Sequence, residues 1–238
     1  RTVVLTGSAN CTRSGMHGDP NRPKMRGNVN HMLRFQSSEL SELFEQEFHT
    51  MWGDGPGGKQ NSRFGLQKGS TGINTAMVGQ TRVDVLFAPH RKRNPNHGLN
   101  WIEKLLGRAH KSIDMALFIF TAQQLADALE QQVQAGLHIR LIADPSFASR
   151  SFSEVLDLLG MALPDRNCKL EGNNQPFKKG LKSVGTPRLA RGDKLHHKFA
   201  VIDNKKVITG SFNWSPSAAH TNDETLLVIH SPQLAQHF

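Results

Sequence analysis

Cysteine is scarce in this sequence, and the scarcity excludes several classes at once. The 238 residues hold two cysteines, Cys11 and Cys168, far apart and outside any CxxC pair. A disulfide-stapled scaffold is ruled out, and a reducing, cytoplasmic setting fits this usage. Long apolar runs are missing too. The run that begins at Met115 is broken by Thr121, Gln123 and Gln124, short of the ~18 consecutive apolar residues that a membrane-spanning helix needs. Metal-ligand spacing is equally absent. None of the twelve histidines forms HxxxH or HExxH, and only His17 lies near a cysteine, six residues after Cys11. No metal or cofactor is expected. A stretch from Gly53 to Lys59 imitates the start of a phosphate-binding loop. It places Gln60 where magnesium would need Ser or Thr, with no strand before it and no helix after.

What is present begins with charge. Hydrophobic residues make up 37% and charged residues 21%, a globular composition. Lys plus Arg number 29 against 20 acids, a net charge of +9. The surplus is clustered: Arg91, Lys92 and Arg93 sit together, and Lys178, Lys179, Lys182, Arg188, Arg191 and Lys194 crowd one polar stretch. A positive surplus favours polyanionic partners, either nucleic acid or an anionic phospholipid surface, although a charged loop also serves plain solubility. The sequence opens on Arg1 with no signal peptide, and reads as a piece of a longer protein.

The strongest organising signal is self-similarity. Thr6-Gly7-Ser8-Ala9-Asn10 near the start matches Thr209-Gly210-Ser211-Phe212-Asn213 near the end, each after a short β-branched or apolar run. Downstream, each copy has a strand pattern (28–35 and 222–229) and then a helix start, at Ser38-Glu39 and Ser231-Pro232. The offset between copies is 203 at the GSxN segment and 194 later, so the first copy carries nine extra residues around 17–25. Such a repeat predicts two similar lobes facing each other. Residues 1–52 read as the first, 53–81 as a Gly/Ser-rich linker, and 82–238 as the second. In the second, strands at 83–87, 112–120 and 137–143 alternate with helices at 99–109, 121–134 and 152–159, the first residue of 121–134 serving as its cap. That alternation predicts an α/β lobe with a largely buried sheet, and 164–194 reads as a long functional loop.

The chemistry-bearing segment runs from His196-His197-Lys198 through Asp203 to Gly210-Ser211-Phe212-Asn213, with Glu224 eleven residues on. In a strand, residues two apart share a face. His196 and Lys198 therefore point one way and His197 the other. An ammonium meets the non-bridging oxygens of a phosphate, and an imidazole supplies a nucleophile or a general acid near neutral pH. Ser211 and Asn213, again two apart, can donate hydrogen bonds to the same oxygens. Glu224 is placed to hold one nitrogen of His196 so that the other faces the substrate. Phe212 and Trp214 flank Asn213 and read either as a base-stacking pair or as packing beneath the loop. Singly, a strand histidine is usually structural, a lysine solvated and Asp203 a turn former. Their order and spacing together are hard to assign to chance.

HxK, four residues, Asp, six residues, GSxN resembles the signature of the phospholipase D superfamily. His196, Lys198, Asp203, Gly210, Ser211 and Asn213 match every position, and Glu224 matches the downstream acid. The likeness is to the nuclease-like branch, and also to the mitochondrial cardiolipin hydrolase branch. The resemblance implies two pseudo-symmetric α-β-α sandwich lobes with the site between them, the first lobe here incomplete. It implies a metal-independent phosphodiesterase in which one histidine attacks phosphorus to give a phosphohistidine. The other protonates the leaving oxygen and then activates water. Ser8 and Asn10 carry over as phosphate contacts of the first copy. The first HxK would lie just upstream of Arg1, and Asn30 stands where the second copy has Glu224.

Three functions follow from this reading. The first is hydrolysis of nucleic acid. The second is a lipid enzyme of the phospholipase D or cardiolipin synthase type. The third is a nucleic-acid-binding module whose first motif has decayed. A single two-lobed chain and a homodimer are both compatible with the pattern.

Overall fold

Short runs of apolar residues buried on both faces build the centre of the molecule. The computed structural model describes residues 2–18, 21–22, 24–55, 57 and 60–238. In chain order its strands are β1 (Val4–Gly7), β2 (Met32–Phe35), β3 (Asn74–Val78), β4 (Thr81–Phe87), β5 (Ser112–Leu117), β6 (His138–Ala143), β7 (Val184–Gly185), β8 (Lys198–Ile202), β9 (Lys206–Gly210) and β10 (Thr225–His230). The helices are α1 (Arg13–Met16), α2 (Ser38–Trp52), α3 (Gly98–Leu106), α4 (Gln123–Gln134), α5 (Pro145–Ala148), α6 (Glu154–Leu158), α7 (Pro216–His220) and α8 (Pro232–Ala235). Eight strands form one sheet in the order β3-β4-β10-β9-β8-β5-β6-β7, and β1 pairs with β2 in a separate ribbon.

The large sheet is parallel from β5 through β6 to β7 and antiparallel elsewhere. Its inner strands are apolar on both faces, as a sheet covered on both sides requires. Ala200, Ile202, Ile208, Leu226 and Val228 join Ile113, Leu117 and the buried faces of α3 and α4 in one core. Their neighbours Phe199, Val201, Val207, Leu227 and Ile229 turn the other way and pack with Val4, Phe35 and Leu40 of the first repeat. Each fully buried Val, Leu or Ile contributes about 1.5–3 kcal/mol, so both faces weigh heavily in stability. α2 is capped by the Ser37 hydroxyl, which accepts from Leu40 N–H and donates to the Met77 carbonyl. One cap thereby starts the helix and fixes it against β3.

The second repeat starts earlier than its sequence pattern implies. The segment 53–81 contains a 3₁₀ turn (Gly65–Lys68) and all of β3, which pairs with β4 from Val78↔Thr81 to Asn74↔Val85. It is not a bare linker, because an apolar strand such as Thr75-Ala76-Met77 gains a ladder by folding back. Parts of that segment's glycine-rich stretch and of the extra loop at 17–25 lie outside the described residues. The loop 164–194 likewise contributes β7 to the sheet edge. Thr121 does not cap α4: the N-cap is Ala122, without a side-chain bond, while Thr121 N–H donates to the Trp214 carbonyl.

The two GSxN segments fold identically, for a steric reason. Gly7 and Gly210 have φ of +151° and +129°. A Cβ there would lie 2.4 Å from the His31 carbonyl oxygen and 2.1 Å from that of Thr225. The following serine closes the turn both ways. Ser8 N–H donates to His31 O at 3.1 Å and its hydroxyl accepts from His31 N–H at 3.2 Å. Ser211 repeats both bonds with Thr225, each at 3.0 Å.

Candidate active site between the two repeats

β8 begins where the ends of β5 and β6 converge, because Lys198 pairs with Leu117 and the Phe118 N–H donates to the His197 carbonyl. His196 sits just before β8. Its backbone N–H donates to Val29 O, next to a parallel bridge between Val29 and Leu195. The first repeat is thus laced directly onto the residue that opens the motif.

The His196 ring has a defined orientation. Its Nδ1 lies 2.8 Å from the Ser8 carbonyl oxygen and 3.1 Å from Asn30 Oδ1. Both partners accept, so Nδ1 carries the hydrogen and Nε2 keeps a lone pair. Asn30 cannot flip without loss, since its Nδ2 donates to Gly15 O at 2.8 Å and Asn28 O at 3.2 Å. Lys198 Nζ lies 3.3 Å from both ring nitrogens of His196 and donates to the His196 carbonyl at 2.9 Å. Phe118 forms the wall, its ring 5.0 Å from Nζ and 4.6 Å from the imidazole, both to its centroid. An imidazole with a free Nε2 beside an ammonium can attack an anionic ester or, once protonated at Nε2, give a proton to its leaving oxygen.

Burial and charge tune both groups. Burial, then the Lys198 charge, hold the His196 pKa below its ordinary value. Lys198 is 4% exposed, and burial brings its pKa down to about 8 against an opposing pull from Glu224. Burial raises the Glu224 carboxyl above the usual range, although hydrogen bonds from Ser211 and Asn222 and the Lys198 charge oppose it.

Other motif residues lie elsewhere or act otherwise than the sequence suggests. Glu224 does not hold His196; Asn30 and the Ser8 carbonyl do, because the orienting contact crosses from one repeat to the other. Asp203 sits at the far end of β8. Its carboxylate accepts from the backbone N–H groups of His110, Lys111 and Ser112, which holds its pKa low against partial burial. It ties the β8–β9 turn to the start of β5. The hydroxyls of Ser8 and Ser211 close their own turns. Asn10 is exposed, and its carbonyl accepts from Thr12 N–H. Asn213 keeps a buried Oδ1 without a partner. Phe212 and Trp214 are buried in the core, so they pack rather than stack on a ligand.

Two residues escaped the sequence reading. Asn30 looked like a lost carboxylate, and only the repeat offset hinted at a site position. His31 carried no signal at all. Its Nδ1 lies 2.9 Å from His197 Nδ1 and its Nε2 is 2.5 Å from Thr209 Oγ1.

Ahead of Asn30 and His196 in the chain, the segment after the extra loop of the first repeat meets the basic loop of the second. Asp193 accepts from Arg26 N–H at 3.0 Å and Gly27 N–H at 3.1 Å. The resulting groove, about 640 Å³, is lined by Lys24, Arg26 and Arg188 with Val29 and Leu189. Among the described residues, no cluster of His, Cys, Asp and Glu could hold a metal ion, and no helix is long and apolar enough to cross a membrane.

Known proteins share this architecture. A mitochondrial cardiolipin hydrolase of Xenopus tropicalis is 30% identical over 124 residues, 52% of this chain and 49% of the relative. A phospholipase D of Rickettsia bellii is 27% identical over 165 residues, 69% of each chain. The chain thus spans about half the length of the cardiolipin hydrolase it matches. Among solved structures, phosphatidylserine synthase of Haemophilus influenzae superposes with a TM-score of 0.64 at 15% identity, covering 99% of this chain and 58% of that one. NucT from Helicobacter pylori gives 0.51 at 22% identity, covering 66% and 91%. These likenesses establish the fold, a mixed α/β architecture around a large sheet. The model of the family described as cardiolipin synthase, PLD-like domain matches residues 102–238, more than half of the sequence, and the chain belongs to the phospholipase D superfamily.

Proposed function

We propose that this protein is a metal-independent phosphodiesterase that hydrolyses nucleic acid through a phosphohistidine. The observation that carries the reading is the locked His196 ring, its Nδ1–H held by Ser8 and Asn30 and its Nε2 beside the Lys198 ammonium. In the first step an imidazole Nε2 forms a bond to phosphorus, and the ester oxygen departs with a proton from a second imidazole. In the second step that imidazole takes a proton from water, whose oxygen displaces the phosphohistidine nitrogen. Lys198 and Asn213 hold the non-bridging oxygens. His196 is one of the two imidazoles.

The second imidazole comes from a strand seated along the open edge of β1. Leu5 is 62% exposed where its repeat equivalent Ile208 is 0%, and Met32 is 44% where Leu226 is 1%. A two-stranded ribbon with an exposed apolar face needs further strands at its edge and a layer packed on that face. Glu224 supports the same geometry: it is the counterpart of Asn30, half-buried beside Ser211, and meets the incoming histidine as Asn30 meets His196.

The substrate assignment rests on the net charge of +9 and on the groove of Lys24, Arg26 and Arg188, formed by the segments that lead into Asn30 and His196. The test is cleavage of single- and double-stranded nucleic acid in EDTA, compared with His196→Ala. Cleavage lost in the mutant supports the reading, and cleavage that persists overturns it. A second reading, hydrolysis of an anionic phospholipid, is favoured by the cardiolipin hydrolase relative. Headgroup release from cardiolipin vesicles without nucleic-acid cleavage would replace the first reading with the second. Binding to nucleic acid with no turnover on either substrate would leave a binding module.

A further inference from the structure

Behind the catalytic strand lies a second histidine pair that the chemistry above does not use. His31 and His197 come from different repeats, and their rings meet nitrogen edge to nitrogen edge, centroids 5.2 Å apart and planes 17° from parallel. The two Nδ1 atoms are 2.9 Å apart, so one proton lies between them. His31 Nε2 is fixed at 2.5 Å by the Thr209 hydroxyl, and Ser8 Oγ lies 3.2 Å from His31 Nδ1. Phe199 and Phe238 present their edges to the His31 ring at 6.0 and 5.1 Å between centroids. A lone buried histidine is ordinarily core filling. A pair that spends its polar atoms on each other across two repeats is a specified contact.

Its position gives it a task. His31 follows Asn30, and His197 follows His196. Adjacent residues of extended chain face opposite sides. Asn30 and His196 therefore meet at the mouth of the site, while His31 and His197 meet one layer beneath. Val29 and Leu195, the preceding residues of the same two segments, form the parallel bridge. Slippage between the segments would break the Asn30 contact and leave the His196 ring held by the Ser8 carbonyl alone.

We propose that His31 and His197 are positioning residues, an imidazole pair sharing one proton that fixes Asn30 against His196 and so selects the His196 tautomer used in the reaction. The importance of that tautomer rests on the proposed phosphodiesterase chemistry, but the pairing does not. Two protons cannot occupy the gap, since two N–H donors would then face each other. Burial lowers the pKa of each ring to about 4, with further lowering at His31 from His197 and Lys198, and at His197 from Lys198 and His196. The pair is neutral across the physiological range.

The test is imidazole ¹⁵N nuclear magnetic resonance of the full chain at pH 7, with no substrate present. His196 is expected as the Nδ1–H tautomer with a slowly exchanging proton, and His31 and His197 as neutral rings coupled through one hydrogen. His31→Phe fills the space without a nitrogen. Exchange of the His196 proton should then accelerate about tenfold, the effect of one neutral hydrogen bond. His31→Asn, which restores an amide near the position of Nδ1, should recover most of the protection. An unchanged His196 signal in His31→Phe, or identical behaviour of the Phe and Asn variants, overturns the proposal. If His31→Phe does not fold, Thr209→Val replaces it: loss of the Nε2 partner must still speed exchange, and no change overturns the proposal. Phosphodiester inactivity of the protein with the strand that supplies the second imidazole in place, and with an intact His196 signal, would defeat the functional reading and leave this one standing.

Discussion

Asn30 Oδ1 and His196 Nδ1 belong to different copies of an internal repeat, yet they lie 3.1 Å apart and define which nitrogen of the histidine is free. The contact explains how half of a repeated motif can orient the other half. In the first copy an amide stands where the second has the Glu224 carboxylate, so equivalent positions of the two copies carry groups of different charge.

Replacing that amide should move a pH profile in a defined direction. Asn30→Asp places a carboxylate beside the His196 ring, which favours the imidazolium and raises its pKa. The limb of the rate profile set by His196, acid if it attacks phosphorus and basic if it protonates the leaving oxygen, should shift to higher pH. Asn30→Ala should cost about tenfold in kcat with little change in KM, the loss of one neutral hydrogen bond. Steady-state kinetics across pH 5–9 would check both, and a profile in which neither limb moves upward in Asn30→Asp would contradict the assigned contact.

Lys198 titrates within reach of experiment. Burial lowers its pKa to about 8, so the ammonium that attracts phosphate is lost as pH rises through that value. KM should climb above pH 8, and Lys198→Met should show a high KM at every pH. Stability should run the other way. The unfolded lysine keeps its proton to its ordinary, higher pKa, so the folded state binds fewer protons above pH 8 and stability gains with pH there. Substrate titrations at pH 7 and 9 provide the measurement.

Glu154 offers a separate stability test. Burial first, then the Asp157 charge, push its pKa up to about 8. The folded state therefore binds more protons than the unfolded one between the ordinary carboxyl value and pH 8. Stability falls as pH rises through that window and stays low above it. Glu154→Gln, neutral and nearly isosteric, should melt at a higher temperature than wild type at pH 8.5 and show little advantage at pH 4. Calorimetry at the two values would decide.

Asp203 should matter for folding and not for chemistry. It has φ of +55° and accepts from three consecutive backbone N–H groups. Asp203→Ala loses those bonds and strains the turn, at a cost of about 1–3 kcal/mol. Asn tolerates positive φ, so Asp203→Asn should cost less. Activity per folded molecule should be unchanged in both. A kcat loss at full thermal stability would place Asp203 in the reaction after all.

The groove predicts a salt signature. Each phosphate contact removed from single-stranded nucleic acid lowers the slope of log affinity against log salt by about 0.7. Lys24→Ala and Arg188→Ala should each reduce the slope by roughly that amount and leave the pH profile alone. Arg108→Ala, outside the residues lining the groove, should leave the slope unchanged.

The sequence by itself determined the repeat, the alternation of strand and helix, and the face-sharing of His196 and Lys198. Those are local properties, set by side-chain periodicity and by the steric need for glycine at Gly7 and Gly210. It also marked Asp203 and Asn204 as a turn, and both adopt positive φ. Only the tertiary structure decided who touches whom. It assigned the orienting role to Asn30 over Glu224, turned Ser8 and Ser211 inward to close their own loops, buried Phe212 and Trp214, and brought His31 to His197. The physical reason is that a hydrogen bond across 166 residues depends on how two sheets stack and register, and periodicity along one strand carries no information about its partner.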